Sequence, residues 1–135
     1  MEMTIKHIDG MKLVADIGPA DSGTSRHQIV TDQPVNAGGQ DEGPTPPELF
    51  VSSLATCVGV YTIFYCQRHK INYQGFTVKT QWAKAENPVR VGSVSMQISL
   101  PDGCPAEHKD KLHAFVEKCL VHNSLRISPE IEIKI

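Results

Sequence analysis

The sequence predicts an α+β fold with the order β-β-β-α-β-β-α-β, and three observations predict it. Up to about residue 31, apolar and polar residues alternate between turn signals. Leu49 to Cys66 then runs eighteen residues without a charge. Beyond residue 75 come two more alternating runs, an amphipathic run and a last alternating one. Period two marks half-buried strands, and long apolar or three-to-four-spaced runs mark helices. A chain of 135 residues suits one domain, residues 1–135.

In the N-terminal third, "MTIKHI" and "MKLVADI" flank Asp9-Gly10. That pair predicts a hairpin, because it supplies the positive φ angles of a type I′ turn. "GPADSGTS" is a second turn cluster and "RHQIVT" a third strand. A Gly/Pro/Asp-rich loop of fifteen residues follows, "DQPVNAGGQDEGPTP". Loops of that length in a small domain are more often functional or interface-forming than idle.

Thr45 is a good N-cap for the first helix, and Pro46 fits the first helical position. Thr45-x-x-Glu48 reads as a capping box. The helix should run to about His69, where "INYQG" breaks it. Its apolar residues, among them Leu49, Phe50, Leu54, Val58, Val60 and Phe64, point in every direction. A helix apolar all round is buried on all sides. A membrane span is the competing reading. Ser52, Ser53, Thr56 and Thr62 and the strand-like flanks favour a central core helix instead.

"GFTVKTQWAK" and "VRVGSVSMQISL" alternate about the turn "AENP" as a second pair of strands. "PAEHKDKLHAFVEKCL" reads as one amphipathic helix, with Leu112, Phe115, Val116, Cys119 and Leu120 on one face. "EIEIKI" reads as a closing strand. One sheet and one further helix cannot cover a long helix that is apolar all round. A homodimer in which two such helices bury each other resolves the shortfall.

The formal charge of −2 and the lack of any basic run argue against nucleic acid and an anionic membrane as partners. "MEMTIKHIDG" carries charges where the apolar core of a secretory signal would begin, which points to a cytoplasmic location. In that compartment Cys57, Cys66, Cys104 and Cys119 are expected as thiols, metal ligands or redox centres rather than a disulfide framework. No C-x-x-C pair, Ser-His-Asp order, phosphate loop or H-E-x-x-H motif occurs, and no cofactor is implied.

Each thiol has a bland reading. Cys57 lies about three turns into its helix, beyond reach of the helix dipole, and on a buried helix it would ordinarily be inert. Cys66, nine residues on, points about 180° away from it. Cys104 in "PDGCP" reads as an exposed turn thiol, and Cys119 as packing on the second helix. "CLVHN" raises a metal site through Cys119 and His122, completed by Cys57 or His113, but the usual paired-cysteine spacing is missing, and no metal is expected.

"DQPVNAGGQDEGPTPPELFVSSLATC" and "CLVHNSL" together resemble the OsmC/Ohr family of osmotically inducible and organic hydroperoxide resistance proteins. The resemblance rests on a Gly/Pro loop, a Pro-x-Glu-Leu helix opening, a small-residue helix ending in cysteine, and a second cysteine before x-Val-x-Asn-x-Leu. It covers nearly the whole chain and implies an OsmC-like domain in an intertwined homodimer with its sites at the subunit interface. It also implies catalytic roles for Cys57, which would attack an organic hydroperoxide, and Cys119, which would resolve the sulfenic acid to a disulfide for a dithiol reductant. The family's peroxidase branches carry a glutamate ten residues before the first cysteine, where this chain has Pro47. Glu48 stands one residue late, and Arg26 is the nearest arginine without matching the family's by position. Both are expected only as supporting residues. The resulting expectation is a thiol-dependent peroxide reductase in oxidative stress defence. The alternative is a non-enzymatic protein of the same fold that binds a small apolar ligand or partner in the dimer cleft.

Overall fold

A computed structural model describes residues 2–18 and 27–135. The chain divides into two compact units, the first ending at Phe50 and the second spanning Val51–Ile135.

In the first unit β1 (Met3–Asp9), β2 (Lys12–Ile17) and β3 (His27–Thr31) form an antiparallel sheet in chain order. The β1–β2 loop is one residue later than the sequence suggests. Asp9 pairs with Lys12, so Gly10 and Met11 are the turn residues. Only Gly10 of the two takes a positive φ, +51°, which rules out type I′ geometry. A bulge between His7 and Asp9 absorbs the slipped residue. Alternation then sorts the faces. Asp16 holds Lys6 at 2.6 Å and accepts a 2.7 Å hydrogen bond from Gln28 on the polar face. Met3 and Ile5 pair with Ile17 and Ala15 on the apolar face, yet they are 61% and 54% exposed.

The Gly/Pro loop is organised by Asp32, a residue the sequence did not single out. Its side chain is 1% exposed. Oδ1 accepts the Gln33 N–H at 2.8 Å, and Oδ2 accepts those of Gln40 at 2.9 Å and Glu42 at 3.3 Å. Burial alone would push this carboxyl up, but the three N–H donors and the nearby Lys12 ammonium together hold it below the ordinary range. Lys12 also pairs with Glu42, tying β2 to the end of the loop. Gly39 packs so closely here that a Cβ would fall 1.9 Å from the Gln33 carbonyl oxygen.

α1 (Pro46–His69) begins and ends as its sequence dictates. Leu49 N–H donates to the Thr45 carbonyl at 3.0 Å, closing the first turn. At the other end Lys70 adopts φ +55°, Ile71 N–H reaches the Cys66 carbonyl at 2.9 Å and Lys70 N–H that of Gln67 at 3.4 Å. That is a Schellman termination with lysine in place of the usual glycine.

The second unit contains most of α1, an antiparallel pair β4 (Thr77–Ala85) and β5 (Arg90–Ser99), α2 (Ala106–Val116) and α3 (Leu120–Arg126). Leu54, Val58, Tyr65 and Cys66 of α1 join Leu100, Leu112, Val116 and Cys119 in one core. Tyr65 donates or accepts a 2.8 Å hydrogen bond with His108 Nδ1, so α2 is pinned to α1 near its end. Among the described residues the strands fall into two small sheets of three and two, not one of six.

Within one chain Val51, Leu54, Val58, Thr62 and Tyr65 of α1 are buried at helical spacing while Val60 and Phe64 are 45% and 53% exposed, which is the shortfall of cover expected of a single copy. One chain does not supply enough apolar surface to cover both faces. Two expectations need correction. The second amphipathic run is two helices, because α2 stops at Val116 and Leu120 is 70% exposed. "EIEIKI" forms no strand, and Ile131 and Ile133 are 78% and 83% exposed. Alternation prepares a face, but a strand needs a neighbouring edge to hydrogen-bond.

Gly39→Ala should lower stability by about 1–3 kcal/mol in denaturant titration, since backbone, not a flexible side chain, occupies the Cβ position. Asp32→Asn should remove part of the acid dependence of unfolding. The depressed carboxyl contributes stability that is present above its unfolded pKa of about 3.9 and lost as pH falls through its lower folded value. Identical acid limbs for Asp32→Asn and wild type would contradict this.

Candidate active site

Cys57 and Cys119 come from different elements and meet. Cys57 follows Leu54 by three residues and precedes Val58 by one on α1, and both neighbours are buried. The Cys57 side chain is half-buried against the same core. Cys119 is fully buried and lies beside Cys57, whose side chain raises its thiol.

A break in the chain puts Cys119 there. The last turn of α2 tightens, with Lys118 N–H on the Phe115 carbonyl at 3.2 Å and Cys119 N–H on that of Val116 at 3.1 Å. Cys119 then takes extended backbone angles, φ −63° and ψ 147°, as the N-cap of α3. Its sulfur accepts the His122 N–H at 3.3 Å, and the Asn123 side-chain amide donates to the Lys118 carbonyl at 3.1 Å. No glycine or proline marks the break. The available signal was Asn123, whose short amide competes for backbone groups and favours helix ends.

The electrostatics of the pair are asymmetric. Burial is the largest influence on Cys119 and pushes its thiol above the ordinary range. The His122 N–H pulls the other way, while the hydrogen bond and the charge of Cys57 push it higher still. Cys119 is thus held as S–H beside Cys57. Access divides the same way: the half-exposed sulfur is Cys57, and the fully buried one is Cys119. All four cysteines are free thiols.

Glu48 is in the first unit, where its Oε2 accepts both the Thr45 N–H and the Thr45 hydroxyl at 2.7 Å. Those bonds, the N–H foremost, hold its carboxyl below the usual range. The expected box is therefore one-sided, since the Thr45 hydroxyl donates to Glu48 instead of accepting from the backbone. Arg26 lies outside the described residues. Cys104 is not an exposed turn thiol but half-buried and packed against the core. Cys66 is fully buried, and burial, with Cys104 nearby, pushes its thiol up. His113 pairs with Glu117 at 3.9 Å, and among the described residues no three His, Cys, Asp or Glu stand close enough to hold a metal ion.

The family described as OsmC-like protein matches residues 39–134. No protein of curated function matches the chain. Among solved structures it is similar to a Psychrobacter arcticus protein with a proposed role in the osmotic stress and detoxification response. That likeness has a TM-score of 0.78 at 22% identity and covers 90% of this chain and 85% of the other. It is also similar to an OsmC organic hydroperoxide resistance protein of Legionella pneumophila, TM-score 0.67 at 18% identity, over 93% of this chain and 90% of that one. A third likeness is to an organic hydroperoxide resistance protein of Elizabethkingia anophelis, solved with thiocyanate bound. Its TM-score is 0.67 at 16% identity, over 95% and 90% of the two chains. The TM-scores, at identities below 25%, establish a shared fold.

Cys57→Ala should lower the pKa of the Cys119 thiol, because it removes both the acceptor of its hydrogen bond and the neighbouring charge. Thiolate absorbance against pH, with Cys66 and Cys104 replaced by serine in both proteins, reads this directly. An unchanged or raised Cys119 titration in the Cys57→Ala background would mean that the two thiols do not interact.

Proposed function

This chain belongs to the OsmC-like protein family, and from that premise we propose that it is a cysteine-dependent reductase of organic hydroperoxides, active as a cytoplasmic homodimer. The observation that carries the reading is the contact between the half-exposed Cys57 and the buried, protonated Cys119. The names of the Legionella and Elizabethkingia relatives support the substrate class.

The chemistry follows from the roles of the two sulfurs. The Cys57 thiolate attacks the terminal oxygen of ROOH; the O–O bond breaks, ROH leaves with a proton, and Cys57 becomes a sulfenic acid. Cys119 then condenses with it, releasing water and forming the Cys57–Cys119 disulfide. A dithiol restores both thiols by exchange and is itself oxidised. The Cys119 S–H supplies what a mid-helix thiolate lacks from the helix dipole, a hydrogen-bond donor at the sulfur. Arg26 is the proposed supporting cation. Glu48 serves the helix cap, which leaves it a structural part in this scheme.

Assembly follows from exposed apolar surface. Val60 and Phe64 on the outer face of α1, Met3 and Ile5 on the first sheet, and the isoleucines of the C-terminal tail are large and apolar, yet open to water. A second copy of the chain is the proposed cover. The competing reading, a ligand-binding protein without turnover, draws support from Pro47 and from the engagement of Glu48 with Thr45.

Cys57→Ser should abolish turnover of cumene hydroperoxide supplied with a dithiol. Cys119→Ser should consume about one equivalent and then stall with Cys57 over-oxidised, since no thiol remains to resolve the sulfenic acid. Wild-type consumption no greater than that of Cys57→Ser would end the enzymatic reading. Sedimentation should give a dimer at micromolar concentration, and Phe64→Lys should shift it toward monomer by placing a charge in the buried contact. A folded wild-type monomer would contradict the assembly.

A further inference from the structure

The second unit contains a cavity of about 680 Å³, within the range of sites that hold small organic ligands. β5 lines it with Val94, Met96 and Ile98, and α1 with Leu54 and Val58. Leu112 and Val116 of α2 complete the apolar wall. No Phe, Tyr or Trp lines it, so it offers aliphatic contact without a stacking surface for a flat ring. Neither Cys57 nor Cys119 is among its lining residues.

Polarity is confined to α2 and α3. Lys109, His113, Glu117, His122 and Arg126 contribute to the lining there. Glu117 is engaged with His113 at 3.9 Å. Among the described residues neither Lys109 nor Arg126 has an ion-pair partner. Two unpaired cations beside an aliphatic cavity complement a ligand with a hydrocarbon tail and one anionic head.

We propose that this cavity binds an amphipathic monoanion, an unbranched acyl carboxylate, with its tail against Met96 and Ile98 and its carboxylate at Lys109 and Arg126. The guanidinium of Arg126 can engage both carboxylate oxygens, and Lys109 adds a point charge. A neutral alcohol of the same length gains only the tail contacts. A quaternary ammonium meets like charge. The lining omits both sulfurs of the thiol chemistry proposed above, although Val58 adjoins Cys57 and His122 donates its N–H to Cys119.

Calorimetric titration of the full-length protein with decanoate, decanol and decyltrimethylammonium at low salt tests the assignment. Decanoate should bind saturably and about tenfold more tightly than decanol, with the ammonium weakest. The double variant Lys109→Gln/Arg126→Gln, both changes at charged side chains outside the core, should bind decanoate and decanol equally. Leu125→Trp, at a lining residue that is 42% exposed, should weaken both by narrowing the cavity. Cys57→Ser should bind decanoate as wild type does, so loss of peroxide turnover and loss of binding are separate results. Equal affinity for decanoate and decanol in the wild type, a preference that survives the double variant, decanoate binding unaffected by Leu125→Trp, or no saturable binding would overturn the proposal.

Discussion

The hydrogen bond from His122 N–H to the Cys119 sulfur is the contact on which the site depends. Had α2 continued through Cys119, that residue would share the face of Leu112 and Val116, and its sulfur would lie a helical turn beyond them. The break after Val116 instead turns the chain so that a cysteine caps the next helix. One sulfur thus does two jobs. It satisfies a backbone donor at the start of α3, and it presents its own S–H to Cys57. The two pull the thiol in opposite directions, and burial decides the outcome in favour of the protonated form.

α1 supplies the other half through a different constraint. Its buried residues recur at three and four, so one face fills the core of the second unit while the opposite face carries Val60 and Phe64 into water. Cys57 lies at the margin of the buried face, which is why it is half-covered where Cys66 is fully covered. A thiol placed deeper would be inert, and one placed on the outer face would have no resolving partner within this chain. The proposed reaction at Cys57 draws on this half-covered position.

Much of this was legible in the sequence, and what was not has identifiable causes. The ends of α1 were readable because Thr45, Pro46 and the "INYQG" stretch are local signals whose effects are local. β4 and β5 were readable from period two alone. The split between α2 and α3 was hidden because Glu117, Lys118 and Leu120 are all good helix formers, and tertiary packing of Cys119 overrides them. Asp32 was hidden for a related reason: an aspartate opening a Gly/Pro loop reads as a surface turn residue, and only the fold shows three N–H groups converging on it. The tail "EIEIKI" shows the converse, since a clean alternating pattern without a strand edge beside it remains unpaired. For the thiols, helix geometry separated Cys57 from Cys66, but spacing could not bring Cys57 to Cys119; the family resemblance implied that pairing, and the fold shows the two side by side.

The central claim is that Cys57 and Cys119 react with each other and with no other thiol. Its most direct test is peptide mapping of the wild-type protein after about one equivalent of organic hydroperoxide, with free thiols blocked at once by an alkylating agent. The account predicts a single Cys57–Cys119 bridge, with Cys66 and Cys104 recovered as alkylated thiols. A Cys57–Cys66 bridge would contradict it, because those sulfurs leave opposite sides of an intact α1 and could join only if that helix came apart.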